Sequence, residues 1–336
     1  MLRAVWLSLV LCGCGATEET STSTAISTTG AGGGTSSSST VGSGGAGPRG
    51  WQSLAPLPSP RQECAVVALN GEVYVIGGFD EVATMVADVA VYTPATDSWR
   101  SVAPLPAPRH HANAAALDGR IYVVGSLTTD FAARGEVYVY DPGMDAWTEG
   151  TAMPAGTERG GSAVAVLDGT IYVAGGFRGG SVADFSAYDI RGGVWSTLSS
   201  LPAPRDHLVA GSIGGSFYAI GGRDGSITGI DGRVDAFDPA AGWSQVAPML
   251  TPRGGCAAAT ANERVFVFGG EGNTASPTGV FPELESYAPD AWTALEPMPT
   301  PRHGTGAAEV DGIIYVPGGA TTQAFGAVAT HEAYAP

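Results

Sequence analysis

From residue 50 onward the apolar residues come in short runs. Gly, Pro and Asn-Gly or Asp-Gly pairs break them up, a pattern that predicts many short strands joined by tight turns. The first unit reads as four strands, at about 62–69, 72–77, 87–93 and 98–102. The first of these (ECAVVALN) is small and apolar, as suits an innermost strand crowded around an axis. The second is apolar on both faces, as suits a sheet covered on both sides by neighbouring sheets. Asn70-Gly71, Asp118-Gly119, Asp168-Gly169 and Asp311-Gly312 separate first and second strands, and such pairs predict hairpins because both turn residues take positive φ.

The pattern repeats. Beyond Trp6, tryptophan falls at 51, 99, 147, 195, 243 and 292, at spacings of 48, 48, 48, 48 and 49. Arg61, Arg109, Arg205, Arg253 and Arg302 each follow a Trp by ten residues, and Arg159 follows by twelve. A strand ending in two small residues comes next: YVIGG, YVVGS, YVAGG, YAIGG, VFGG and YVPGG. A later aromatic follows each: Tyr92, Tyr140, Tyr188, Phe237, Tyr287 and Tyr334.

The double glycine, the later Tyr and the Trp, at about 50 residues per unit, resemble the kelch repeat. The match runs over 51–336. The departures are Gly125-Ser126 in unit two and Pro317 inside the last such strand. The resemblance implies an all-β fold, a six-bladed kelch β-propeller with four antiparallel strands per blade. The chain starts on a Trp strand and ends after a Tyr strand. Trp51–Leu54 is therefore expected to be the outer strand of the last blade, whose inner three come from about 303–334, so that no edge stays open.

Composition narrows the function. Charged residues are 14% of the chain, Gly numbers 50 and Pro 23, which disfavours helix. The net charge is −16, so no nucleic-acid partner is expected. All 16 basic residues are Arg, which excludes lysine Schiff-base chemistry. Cys64 and Cys256 fall in non-adjacent blades and read as small buried hydrophobes, not a disulfide.

The leader MLRAVWLSLVLCGCG has one Arg and a short apolar run, as a secretory signal does. Leu11-Cys12-Gly13-Cys14 resembles a bacterial lipobox. Residues 1–13 are therefore expected to be a lipoprotein signal peptide and Cys14 the lipidated residue. Residues 14–50, rich in Ser, Thr and Gly, read as a tether, and 51–336 as the propeller. This reading places the protein extracytoplasmically at the bacterial cell envelope, on a membrane through the lipid only, as a monomer.

The kelch resemblance implies one binding face with two sets of positions. The first lies two residues past each Pro-Arg: Glu63, His111, Gly161, His207, Gly255 and Gly304. The second follows the double glycine and includes Phe79, Asp80, Leu127, Phe177, Arg178, Arg223, Asp224, Glu271, Ala320 and Thr321. From these, Glu63, His111, His207, Asp80, Phe177, Arg178, Arg223, Asp224 and Glu271 are the expected ligand-binding residues. His110, His111, His207 and His303 all follow a repeat Arg and are expected at one channel mouth. The repeated Arg and Trp are expected to be architectural. No catalytic residues, metal or cofactor are expected: GxSxG, HExxH and P-loop patterns are absent, and no carboxylate or thiolate follows the His at ligand spacing. The expected function is a non-enzymatic module that binds a protein, peptide or glycan. The alternative is a sugar mutarotase or epimerase, because some six-bladed envelope kelch proteins resemble sialic acid mutarotases, and Glu63, His111, His207 and Glu271 supply acid–base groups. A copper radical oxidase is disfavoured, since no Tyr lies near Cys64 or Cys256 on the inner strands.

Overall fold

The structure is a computed structural model that describes residues 49–336 apart from Asp290. The expected signal peptide, Cys14 and all but the end of the tether lie outside the described residues. Among the described residues, six four-stranded antiparallel sheets form the blades. Blade 1 runs, from the inside out, through Ala65–Leu69, Glu72–Ile76, Val89–Thr93 and Ser98–Val102. The later blades follow the same order.

Blade 6 takes Ala308–Val310, Ile313–Pro317 and His331–Ala335 from the C-terminal end, and Gly50–Ser53 from the other. Trp51 pairs with Tyr334 in that register. The expected closure is therefore present, and its seam is packed like the others. Val73 and Tyr92 of blade 1 share a core with Ala308, Tyr315 and Ala333 of blade 6. Trp51 packs on Phe268 of blade 5.

Each expected hairpin has the positive φ it requires; Asn70 and Gly71 sit at 53° and 78°. Two boundaries differ from expectation. The first strand starts at Ala65 and not at 62, because Glu63 is left-handed (φ 50°) and cannot continue a strand. In blade 2 the middle strands run on to Arg120–Thr128 and Ala132–Asp141, with a bulge between Val124 and Ser126. Ser126, which stands where the other units have the second Gly, lets the backbone stay extended there.

The tryptophans join blade to blade. Each Nε1–H donates to a carbonyl of the preceding blade's outer turn: Trp99 to Ala55 (2.8 Å), Trp147 to Ala103 (2.9 Å), Trp195 to Thr151 (2.9 Å), Trp243 to Ser199 (2.7 Å) and Trp292 to Ala247 (2.9 Å). Trp51 donates to Glu296 across the closure (3.0 Å). Cys64 and Cys256 are buried and free, and burial raises both thiols to about 11.

Candidate functional site

Three successive residues of each repeat build the channel mouth. The first is the repeat Arg, buried in all six blades. Arg159 and Arg253 donate from Nε to Gly175 and Gly269 (2.9 and 2.7 Å), while Arg61 and Arg205 donate from Nη1 to Gly77 and Gly221 (3.1 and 2.8 Å). Arg205 and Arg253 also neutralise buried Asp235 and Glu285, at 2.6 and 2.9 Å. The architectural expectation for these residues therefore holds. Gly78 shows why the glycines recur: a Cβ there would lie 2.3 Å from the Gln62 carbonyl oxygen.

The second residue (Gln62, His110, Gly160, Asp206, Gly254 or His303) forms a two-residue bridge with the residue just after the small pair: Phe79, Leu127, Phe177, Arg223, Glu271 or Ala320. The two expected sets of face positions are thereby brought side by side.

The third residue closes a ring. His111 N–H donates to Glu63 O, Gly161 to His111, His207 to Gly161, Gly255 to His207, Gly304 to Gly255 and Glu63 to Gly304, all between 2.5 and 2.9 Å. This blade-to-blade geometry is left-handed at every step, with φ from 49° to 64°. Three blades place glycine there. The other three hold Glu63, His111 and His207 in a conformation that costs a side chain of order 1 kcal/mol.

Those three side chains meet over the ring. His111 Nε2 is 2.8 Å from His207 Nε2 and 3.1 Å from Glu63 Oε2. Their ligand atoms all lie within 4.8 Å of one another. Of the glycines beside them, Gly304 leaves room for the Glu63 carboxylate, while Gly161 borders both imidazoles. A Cβ at Gly161 would lie 3.5 Å from the His111 ring and 3.7 Å from that of His207, and a Cβ at Gly304 would strike the Glu63 carboxylate at 2.5 Å.

Around this trio, His207 Nδ1 meets Asp206 at 2.5 Å, and Arg223 bonds Asp206 (2.9 Å), His207 Nε2 (2.8 Å) and Glu271. His303 Nδ1 faces Glu271 and Glu63 at 3.6 and 3.8 Å. Burial would raise the Asp206 carboxyl, but bonds from His207 and Ser181 and the Arg223 charge outweigh it and hold the pKa at about 2. Burial lowers His110 to about 4. It also pushes His111 well below the usual imidazole range, with the neighbouring imidazoles and Arg223 adding to the effect. Below the ring the channel opens into a cavity of about 170 Å³ between the inner strands.

Four of the five His gather here as expected, while His331 lies away, against Tyr92 and Trp99. Of the expected face residues, Glu63, His111, His207, Arg223 and Glu271 form the connected cluster. Phe177 joins an aromatic rim with Phe131 (6.3 Å), which also meets His110 edge-on. Asp80, Arg178 and Asp224 do not join it. Asp80 accepts from Val82 and Thr84 in its own loop, Arg178 pairs with Asp184 at 3.0 Å, and Asp224 accepts from Ser226. Sequence reading passed over Asp206, Phe131 and Phe325. Aligning the residue directly after each repeat Arg reveals Asp206; nothing in the repeat marks the two Phe, which come from irregular loops.

A family profile described as the KLHDC2/KLHL20/DRC7 Kelch-repeats domain matches residues 51–222. The chain belongs to the kelch-repeat propellers. Among kelch relatives it is 39% identical to Kelch-like protein terF of Aspergillus terreus over 251 residues, 70% of this chain and 44% of terF. It is also 39% identical to Kelch repeat and BTB domain-containing protein 13 of Homo sapiens over 110 residues, 32% of this chain and 24% of that protein. It spans less than half the length of these curated relatives. The solved structure of YjhT shares the fold, with a TM-score of 0.69 at 18% identity over 83% of this chain and 95% of YjhT.

Proposed function

We propose that this kelch propeller is an extracytoplasmic interaction module that takes a segment of a protein or peptide partner at the Glu63–His111–His207–Arg223–Glu271 mouth. One observation carries the reading. The three ring positions that are not glycine, each at a backbone cost, are the three whose side chains converge. Exposed Phe131 and Phe325 at the rim add apolar area for a partner chain. The cavity of about 170 Å³ next to the ring has room for a partner side chain. The lipobox around Cys14 and the Ser/Thr/Gly segment after it support display from a lipid anchor at the cell envelope. The test is selection of displayed random peptides against the purified protein, followed by affinity measurement on Arg223→Ala. Selected peptides lose at least about tenfold in affinity if they seat at the mouth; equal affinities refute the assignment.

A second reading is favoured by the dyads Asp206–His207 (2.5 Å) and Glu63–His111 (3.1 Å), which are acid–base pairs of the kind sugar mutarotation uses. Proton NMR of anomer interconversion with the purified protein, faster or unchanged, decides it.

A further inference from the structure

The protons at the mouth can be assigned one by one. His110 Nε2 faces the Thr128 carbonyl at 3.1 Å, so it carries the hydrogen of a neutral ring and His110 Nδ1 is a lone pair. His110 Nδ1 faces His111 Nδ1 at 2.5 Å, so the hydrogen lies on His111 Nδ1 and His111 Nε2 is a lone pair. His207 Nδ1 donates to the Asp206 carboxylate, so its Nε2 is a lone pair as well. His111 Nε2, His207 Nε2 and the Glu63 carboxylate thus bring three acceptors together, 2.8 and 3.1 Å apart, with no hydrogen among them. His303 repeats the pattern. Its Nε2 donates to the Thr322 carbonyl at 2.9 Å, and its buried Nδ1 has no hydrogen-bond partner and faces Glu63 and Glu271.

Charge adds to this. Glu63, Asp206 and Glu271 stand against Arg223 alone, a surplus of two negative charges among mostly buried groups when the imidazoles are neutral. Arg223 lends one hydrogen bond to the His207 lone pair but is held independently by Asp206 and Glu271. The guanidinium therefore keeps two partners if that lone pair is taken.

We propose that Glu63, His111 and His207 form a binding site for a divalent first-row transition metal. With ligand–metal bonds of about 2.1 Å, the two measured separations correspond to angles of about 85–95° at the metal, those of neighbouring ligands in octahedral coordination. Two imidazoles and one carboxylate suit such dications better than Ca²⁺ or Mg²⁺, which take all-oxygen sets. The supporting contacts are those of a metal site: Asp206 holds the far nitrogen of His207, and His110 holds that of His111. This inference stands on the mouth geometry and not on the identity of any partner. The site was hidden from spacing arguments because its ligands come one each from blades 1, 2 and 4.

The experiment is calorimetric titration of the purified, EDTA-treated, tag-free protein with ZnCl₂, repeated with CoCl₂ while visible d–d absorption is followed. One equivalent binds the wild type. Asp206→Asn weakens binding by about ten- to a hundredfold as a positioning residue. His111→Gly, which installs the residue that blades 3, 5 and 6 already use there, keeps the circular dichroism and melting of the wild type and abolishes the Co²⁺ spectrum. His331→Gln binds as the wild type does. Failure of the wild type to bind either metal stoichiometrically, or wild-type affinity in a folded His111→Gly, overturns the proposal. Peptide binding by Arg223→Ala is scored separately, so either reading can fail alone.

Discussion

His111 and His207 meet Nε2 to Nε2 at 2.8 Å across blade 3, whose own residue at that ring position is Gly161. A Cβ at 161 would touch both rings, at 3.5 and 3.7 Å. The contact joins residues 96 positions apart in sequence and two blades apart in space. It depends on the backbone ring that turns all six positions left-handed.

Arg253 should be far more costly to lose than an exposed arginine. It fixes the Gly269 and Val267 carbonyls and neutralises Glu285, which is itself buried. Arg253→Met is expected to destabilise by about 3–5 kcal/mol by leaving that carboxylate uncompensated. Urea melts would show the loss. Adding Glu285→Gln should recover part of it, because the orphaned charge is then gone.

Removing residues 49–54 deletes the outer strand of blade 6 together with the Trp51 contacts to Phe268 and Tyr334. The melting temperature should fall by about 10 °C or more, given about 2–4 °C per kcal/mol for a domain of this size. An unchanged melt would contradict the closure.

His331 offers a pH probe away from the mouth. It donates to the Ala55 carbonyl and packs among Tyr92, Trp99 and Tyr315. Burial lowers its pKa from 6.5 to about 4; Arg302 acts in the same direction, and the Ala55 bond and Asp97 oppose it. The unfolded chain therefore binds the extra proton first as pH falls. This contribution to stability is intact above pH 6.5 and is lost toward pH 4, at up to about 1.4 kcal/mol per pH unit. His331→Phe should flatten the stability–pH curve in that window, measured by urea melts at pH 6.5, 5.5 and 4.5.

The lipid anchor proposed at Cys14 has its own readout. Cys14→Ser should move the protein from the membrane fraction to the soluble fraction of the envelope, scored by immunoblot. Wild-type membrane retention would refute lipidation at Cys14.

Much of the fold was legible because each structural demand recurs six times. The Trp spacing reports one indole bond per blade, and the Asn-Gly and Asp-Gly pairs report hairpins with the φ values they impose. The left-handed start of the blade was not legible at Glu63, His111 and His207, because these three blades carry a side chain where the other three carry glycine. Glu63, Arg223 and Glu271 could be placed on the face by repeat position alone. That Arg223 bonds Glu271 and His207 and that Glu63 pairs with His111, while Asp80 and Arg178 turn back into their loops, depends on side-chain geometry that no repeat encodes.

The proposed partner site is the end of the propeller that carries the ring of Glu63, His111 and His207. Hydrogen–deuterium exchange of the protein with and without a selected peptide locates it. Protection should fall on the mouth loops, 79–86, 128–134, 177–182, 223–231 and 320–327. Protection confined to the hairpin turns at the opposite end, Asn70-Gly71, Asp118-Gly119, Asp168-Gly169 and Asp311-Gly312, would contradict it.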